Sequence, residues 1–289
     1  MTQGAFLAID WGTTNRRVYR IDATDEVVAT ERDDRGMLAM EGGDYADEIA
    51  RIRERHGDLS VLIAGMAGSN RGWRDAGYCP CPAGLADLAA AIAWIEPGRT
   101  GIVPGVSLAT DTRADVMRGE EVQLLGAVAS GMAGPDALFC QPGTHCKWAD
   151  LTGGRITGFT TAMTGEVFAL LRRHSILAPQ LGGAIADGPV FRAGVERARD
   201  GDLLANLFDV RASAVLGRRA DSDAAAYASG LVIGADVAAR PLDRKIAILA
   251  DPELGDLYRA AVETLGGEAT ILDSHGAFVA GITAIWRQL

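Results

Sequence analysis

One turn occurs twice in this chain. Displacing the sequence by 131 positions, Gly12 to Gly143, lays Asp10-Trp11-Gly12-Thr13-Thr14-Asn15-Arg16 over Gln141-Pro142-Gly143-Thr144-His145-Cys146-Lys147. Gly-Thr falls on Gly-Thr. In each copy an apolar run precedes the turn, Ala5 to Asp10 and Ala137 to Cys140, and a basic residue follows three places after the first matched Thr. Each copy then continues as a hairpin pattern: Arg16 to Ile21 with Glu26 to Glu31, and Lys147 to Leu151 with Arg155 to Thr160. A tight glycine turn exposes consecutive backbone N–H groups, and the hydroxyl beside it adds a donor, which together suit a phosphate. A single Gly-Thr reads as an ordinary hairpin turn. Its recurrence in matched context reads instead as two domains of one topology, each bringing a phosphate grip.

The length agrees, since 289 residues at roughly 150 per domain give about two domains with enough chain for a core. A composition of 48% hydrophobic and 23% charged residues excludes intrinsic disorder. Net charge is -10, so no broad positive field is available for nucleic acid. No apolar run approaches the roughly 18 to 20 residues that cross a bilayer. The opening Met-Thr-Gln-Gly lacks a basic leader region, and a cytoplasmic protein is expected. The four cysteines match no zinc spacing, and Cys79-Pro80-Cys81-Pro82 reads as a turn.

Between the two turns, Asp44 to Arg55 has helical spacing and Ser60 to Ala64 reads as a short buried strand. The glycine-rich loop Gly65 to Gly72 follows at that strand's carboxyl end, where open sheets place ligands. Asp115 reads as the N-cap of a helix from Val116 to Ser130, broken by Gly131 to Pro135. Further on, Ala224 to Ala238 is helix-like, Lys245 to Leu249 a strand, and Glu253 to Leu265 a helix. Phe278, Ile282, Ile285 and Trp286 give a last helix capped by Ser274. The expected division is 1–114, an interdomain helix at 115–134, a nucleotide-binding domain at 135–273, and a terminal interdomain helix at 274–289. There is no G-x-x-x-x-G-K-[ST], no G-x-G-x-x-G after the first strand, no G-x-S-x-G and no H-E-x-x-H.

The doubled turn resembles the phosphate motifs of the sugar kinase, heat-shock protein and actin superfamily. Gly65-Met66-Ala67-Gly68-Ser69-Asn70-Arg71-Gly72-Trp73, Val103-Pro104-Gly105-Val106, Asp115-Val116-Met117-Arg118-Gly119-Glu120-Glu121, Pro142-Gly143-Thr144-His145-Cys146-Lys147-Trp148 and Met163-Thr164-Gly165-Glu166 are similar to the motifs of the 2-dehydro-3-deoxygalactonokinase family. The resemblance implies an α/β chain of two ribonuclease H-like (actin-like ATPase) domains flanking a cleft. It also implies ATP with Mg2+ and phosphorylation of 2-dehydro-3-deoxy-D-galactonate on its terminal 6-hydroxyl. The alternatives are another 2-keto-3-deoxy sugar acid, such as 2-dehydro-3-deoxygluconate, or a non-catalytic sensor. A sensor of the repressor type would carry a DNA-binding segment, for which a first strand at Ala5 leaves no room. The partner is a small sugar acid, and a homodimer is compatible. One departure is Ala250, where such kinases carry Gly near adenosine.

Candidate roles follow. Asp10 at its strand end suits hydrated magnesium. Gly12, Thr13, Thr14, Gly143 and Thr144 suit the β and γ phosphates, with Arg16 or Lys147 offsetting charge. Asp115, Glu120 and Glu121 are candidates for the carboxylate that takes the attacking hydroxyl's proton, with Glu120 ahead of Asp115. Arg71 and Arg118, and less strongly Arg17, suit the substrate carboxylate, and Ser69 and Asn70 its hydroxyls. His145 reads as a loop-stabilising residue and His174 as a partner for helix-end carbonyls.

Overall fold

The computed structural model describes residues 4–40 and 44–289. Its first strand, β1 (Phe6–Trp11), is buried on both faces, with Phe6, Leu7, Ala8 and Ile9 fully enclosed. A continuous apolar run is what a central sheet strand requires. Antiparallel β2 (Arg16–Ile21) and β3 (Val27–Asp33) follow, and the helix α1 (Tyr45–His56) is capped by Asp44, which accepts from the Ala46 and Asp47 amides. The chain then returns as β4 (Ser60–Gly65), parallel to β1.

A smaller segment comes next: β5 (Tyr78–Pro80), α2 (Leu85–Ala90), β6 (Ala93–Glu96), β7 (Thr100–Ile102), β8 (Gly105–Ala109) and β9 (Ala114–Met117). Strands β5, β8 and β9 form their own three-stranded sheet, while β6 and β7 extend the first sheet to the order β3-β2-β1-β4-β7-β6. Cys79 and Pro80 therefore lie in a strand, not in the expected turn.

Helix α3 (Glu120–Ala129) starts four residues later than Asp115 would place it. Asp115 is a strand residue opposite Leu108, and Gly119 at φ +101° separates strand from helix. A helix cannot run through a backbone in that region. The two carboxylates that open α3 reach back instead, Glu120 to the Arg118 amide (2.9 Å) and Glu121 to the Gly119 amide (2.7 and 2.9 Å).

The second turn is preceded by β10 (Ala137–Gln141) and followed by β11 (Cys146–Thr152) and β12 (Arg155–Ala162). Four helices intervene before the sheet resumes: α4 (Thr164–His174), α5 (Pro189–Arg197), α6 (Leu203–Val215) and α7 (Asp221–Ala238). Strand β13 (Ile246–Leu249), α8 (Pro252–Thr264), β14 (Ala269–Leu272) and α9 (Ser274–Trp286) complete the chain. The sheet order is β12-β11-β10-β13-β14, with β10, β13 and β14 parallel. It repeats the β3-β2-β1-β4-β7 order of the first sheet, in which β1, β4 and β7 are parallel. The doubled turn is thus part of a doubled α/β topology of the ribonuclease H-like kind.

Two compact units emerge. One comprises Met1–Asp136, Asp150–Phe159 and Ser274–Leu289, the other Ala137–Ala149 and Thr160–Asp273. The first therefore contains both α3 and α9, where the sequence suggested separate interdomain segments. Its core packs Leu7, Ile9, Val18, Ile49, Ile52 and Ile63 about the sheet. In the same unit α3 crosses α9 at Gly126 and Gly281: a Cβ on Gly126 would lie 2.0 Å from the Ala277 oxygen, and one on Gly281 2.0 Å from the Val122 oxygen. In the second unit one core joins Cys140, Trp148, Ile233, Ile248 and Tyr258, and another lies under α6 and α7 around Leu181, Leu207, Val210 and Leu231. No described helix is long and apolar enough to cross a membrane.

Candidate active site

The first turn is held by its own backbone, with the Gly12 amide donating to the Asn15 carbonyl at 2.9 Å. The Met37 and Leu38 amides donate to Gly12 and Thr13 carbonyls, so the segment after β3 braces the turn from behind. Thr13, Thr14 and Asn15 are left exposed. Asp10, next to the end of β1, receives Arg17 Nη1 at 3.3 Å. Burial raises its carboxyl above the usual range; Arg17 and His275 oppose the rise, and the charge of Glu120 adds to it. Asp10, Arg17, Glu120 and His275 thus form one electrostatic cluster beside the turn, and His275 lies 3.4 Å from the Tyr19 hydroxyl.

Asp115 is not in that cluster. Its carboxylate binds Arg113 at 2.6 Å and its own neighbour's amide, that of Val116. Glu121 is fully buried, and its carboxyl is pushed up to about 8, first by burial and then by the Glu120 charge. Glu120 is half-buried and is the remaining candidate of the three. Arg16 is likewise withdrawn: its guanidinium is fully enclosed, lies 4.9 Å over Trp11, and is paired with Asp33 and with Glu48 at 2.9 Å. It serves the core and does not reach the turn.

The glycine-rich loop after β4 presents Asn70 and Arg71 to solvent, while Ser69 is buried with its hydroxyl accepting from the Arg71 amide at 3.3 Å. Arg118 lies beneath the loop, its side chain only 5% exposed. It stacks 4.3 Å from the Tyr78 ring centroid and donates to the Gly77 carbonyl at 3.0 Å. The loop is therefore held by one arginine and exposes another.

In the second unit the turn Pro142 to His145 leads into β11, whose Lys147 is buried and donates to Thr161 Oγ1 at 3.0 Å. Thr144 and His145 are exposed, and His145 Nε2 contacts Glu166 Oε2 at 2.6 Å. The start of α4 lies flush against this turn. The Glu166 amide donates to the Thr144 carbonyl at 2.9 Å, and a Cβ on Gly165 would fall 2.3 Å from the Gly143 oxygen. Only glycine permits that approach. His174 closes the last turn of the same helix, with Arg172 and Arg173.

A cavity of about 280 Å3 opens beside the turn, lined by Gly143, Thr164, Gly165, Phe168, Leu254 and Tyr258 among others. A mostly apolar recess beside a Gly-Thr turn has the character of a site for a purine base and ribose. Ala250 follows β13 and is nearly buried, and Asp251-Pro252 then starts α8, which supplies Leu254, Leu257 and Tyr258 to the cavity. In the first unit a larger groove of about 550 Å3 follows α9 from His275 to Arg287. It includes no residue of either turn and is lined largely by small side chains, so the smaller cavity is the nucleotide candidate.

Behind that cavity lies a residue that sequence reasoning missed. Asp236 of α7 is 7% exposed and accepts from Thr164 Oγ1 (2.7 Å), Arg240 (2.8 Å), Trp148 Nε1 (3.1 Å) and the Tyr258 hydroxyl (3.4 Å). It ties the first residue of α4 to a wall of the cavity. The available signal was a lone acid in the apolar run Leu231 to Ala239, since a buried carboxylate must be paired.

A family model described as 2-keto-3-deoxy-galactonokinase matches residues 10–285. A Rhizobium meliloti (strain 1021) protein named a probable 2-dehydro-3-deoxygalactonokinase is 38% identical, over all of this chain and 98% of that one. The 2-dehydro-3-deoxygalactonokinase of Escherichia coli (strain K12) is 34% identical over 97% of both. A Sinorhizobium meliloti crystal structure carrying the same name provisionally superposes with a TM-score of 0.89 at 35% identity, covering 97% of each chain. The activator of 2-hydroxyisocaproyl-CoA dehydratase from Clostridium difficile, with bound ADPNP, gives 0.52 at 11% identity over 97% of this chain and 94% of that one, a likeness of fold.

Proposed function

The chain belongs to the 2-keto-3-deoxy-galactonokinase family, and from that premise we propose that it transfers the γ-phosphoryl group of ATP to the 6-hydroxyl of 2-dehydro-3-deoxy-D-galactonate. It is a carbohydrate kinase. The observation that carries the division of labour is the doubled Gly-Thr turn: the second has an apolar cavity at its side, the first a carboxylate cluster.

The nucleotide is assigned to the second unit, with the base and ribose in the recess beside Tyr258 and the phosphates on Gly143 and Thr144. Lys147, buried and close behind the turn, supplies positive charge where the transferred group becomes more negative. Thr13 and Thr14 of the first turn are assigned as donors to a phosphoryl group. Glu120 accepts the 6-hydroxyl proton and orients that oxygen for in-line attack. The sugar acid's carboxylate is assigned to Arg71 and its hydroxyls to Asn70, while Ser69, buried with its hydroxyl engaged inside the loop, and Arg118 beneath it belong to the loop's support.

Magnesium fits Asp10. This ion keeps most of its waters and takes one or two carboxylates together with phosphate oxygens. Asp10 with Glu120 nearby offers that, and among the described residues no group of three or more potential ligands forms a protein cage. When bound, the ion would neutralise charge on the phosphates, and the chain's part is to hold it through Asp10.

Glu120→Gln tests the assignment. Turnover should fall by about 100-fold or more while an ATP analogue binds as before. Near-normal turnover would remove Glu120 from the mechanism and leave the family assignment standing.

A further inference from the structure

Helix α6 carries an apolar face that none of the described residues covers. Leu204 is 81% exposed, Phe208 62% and Val215 66%, and Leu216 at the helix end is 70% exposed. The opposite face is spent on the core, where Leu207 and Val210 pack with Leu181, Tyr227 and Leu231. Helix α6 is therefore apolar on two sides, which a surface helix has no reason to be unless the second side is also covered.

The spacing of the outer face identifies what fits it. Leu204, Phe208, Arg211 and Val215 follow one another at intervals of four, three and four, and at 3.6 residues per turn they fall in a stripe about 60° wide. Such a stripe reads the same in both directions. A second copy laid antiparallel sets Leu204 against the partner's Val215 and Phe208 against the partner's Arg211, so that each guanidinium meets a ring face. Nothing has to be displaced to satisfy both halves, which is what a twofold interface requires.

The area is also of the right size. Leu204, Phe208 and Val215 together present on the order of 400 Å2 of apolar surface. With roughly 60% of an interface apolar, this corresponds to about 650 Å2 per partner, within the range of stable complexes. A lipid surface is the poorer match. Membrane-surface helices carry many lysines and arginines on their polar face, whereas α6 has Arg211 alone beside Asp209.

We propose that the outer face of α6 is the interface of a homodimer in which two α6 helices pack antiparallel about a twofold axis. This goes beyond the kinase reading and does not depend on it. Sedimentation velocity of the full chain at about 10 μM should give twice the 30.3 kDa chain mass. Phe208→Glu and Val215→Glu should each give the single-chain mass, with circular dichroism and turnover kept, because neither side chain supports the core. Leu204→Cys with Val215→Cys should cross-link between copies on mild oxidation, since the two positions are about 16 Å apart along one helix and cannot join within it. A wild-type chain that stays monomeric, or one that pellets with phosphatidylcholine vesicles as a monomer, overturns the proposal. So does a dimer that survives both glutamate substitutions.

Discussion

Asp236 shows what a single buried carboxylate can organise. Its four partners come from β11, α4, α8 and, in Arg240, the segment just past α7, and two of them, Thr164 and Tyr258, line the cavity beside the second turn. Removing the Thr164 hydroxyl takes away one hydrogen bond to a charged acceptor, commonly worth about 1.5–3 kcal/mol. Thr164→Val should therefore raise the KM for ATP by roughly tenfold and leave that for the sugar acid unchanged. Steady-state kinetics with each substrate varied in turn would check this, and equal changes in both constants would contradict it. Glu121 makes a different prediction. Folded, its carboxyl is held at about 8; unfolded, it returns to about 4.5. Between those values the folded chain binds the extra proton, so this group's contribution to stability is largest at low pH and is lost as pH rises towards 8. Glu121→Gln should flatten the fall in Tm between pH 5 and pH 8 relative to wild type; parallel curves would contradict the assignment. At this scale the sequence was only partly legible. Glu120 and Asp10 were recognisable as candidates, but Arg16 and Arg17 are adjacent and alike in type. Only β-strand alternation about the first turn sends one into the core and leaves the other beside Asp10.

At the scale of elements, two close approaches carry testable consequences. The start of α4 meets the second turn through Gly165, and a methyl group there would lie 2.3 Å from the Gly143 oxygen. Gly165→Ala should weaken ATP binding by tenfold or more, measured by calorimetry, because the turn itself must move. The crossing of α3 and α9 is as tight, and Gly126→Ala should lower stability by about 1–3 kcal/mol in denaturant titration, since backbone and not a flexible side chain is met. Element types were largely readable: α1, β4, α7, β13 and α8 lie close to where periodicity placed them. The start of α3 was not. Asp115 has the chemistry of an N-cap, but Ala114 to Met117 also has the alternation of a strand, and partnering by β8 decides the matter. The three-stranded sheet of β5, β8 and β9 was missed for the same reason, since its strands are three to five residues long and β5 joins β8 across about 27 residues of sequence.

For the whole molecule, the duplicated sheet order explains how a chain of net charge -10 can be a kinase of an anionic nucleotide and an anionic sugar acid. Affinity cannot come from a broad positive field; it must come from donors fixed by turns and a few placed cations. The repeat was visible in the sequence because a tight Gly-Thr turn tolerates few residue types, whereas the four helices between β12 and β13 stand where the first sheet has α1 between β3 and β4, and the added helices left no comparable mark. The division of the chain also differed from expectation, with α9 and the hairpin segment Asp150–Phe159 belonging to the first unit, a consequence of folding that no local pattern encodes. The most direct test of the central claim is product analysis after incubation with ATP and a panel of acceptors: 2-dehydro-3-deoxy-D-galactonate, its gluconate epimer and plain hexoses. The account predicts ADP formed in step with a 6-phosphate of 2-dehydro-3-deoxy-D-galactonate, and turnover on that acid well above the others. Equal turnover on hexoses, or no phosphoryl transfer to the sugar acid, would contradict it.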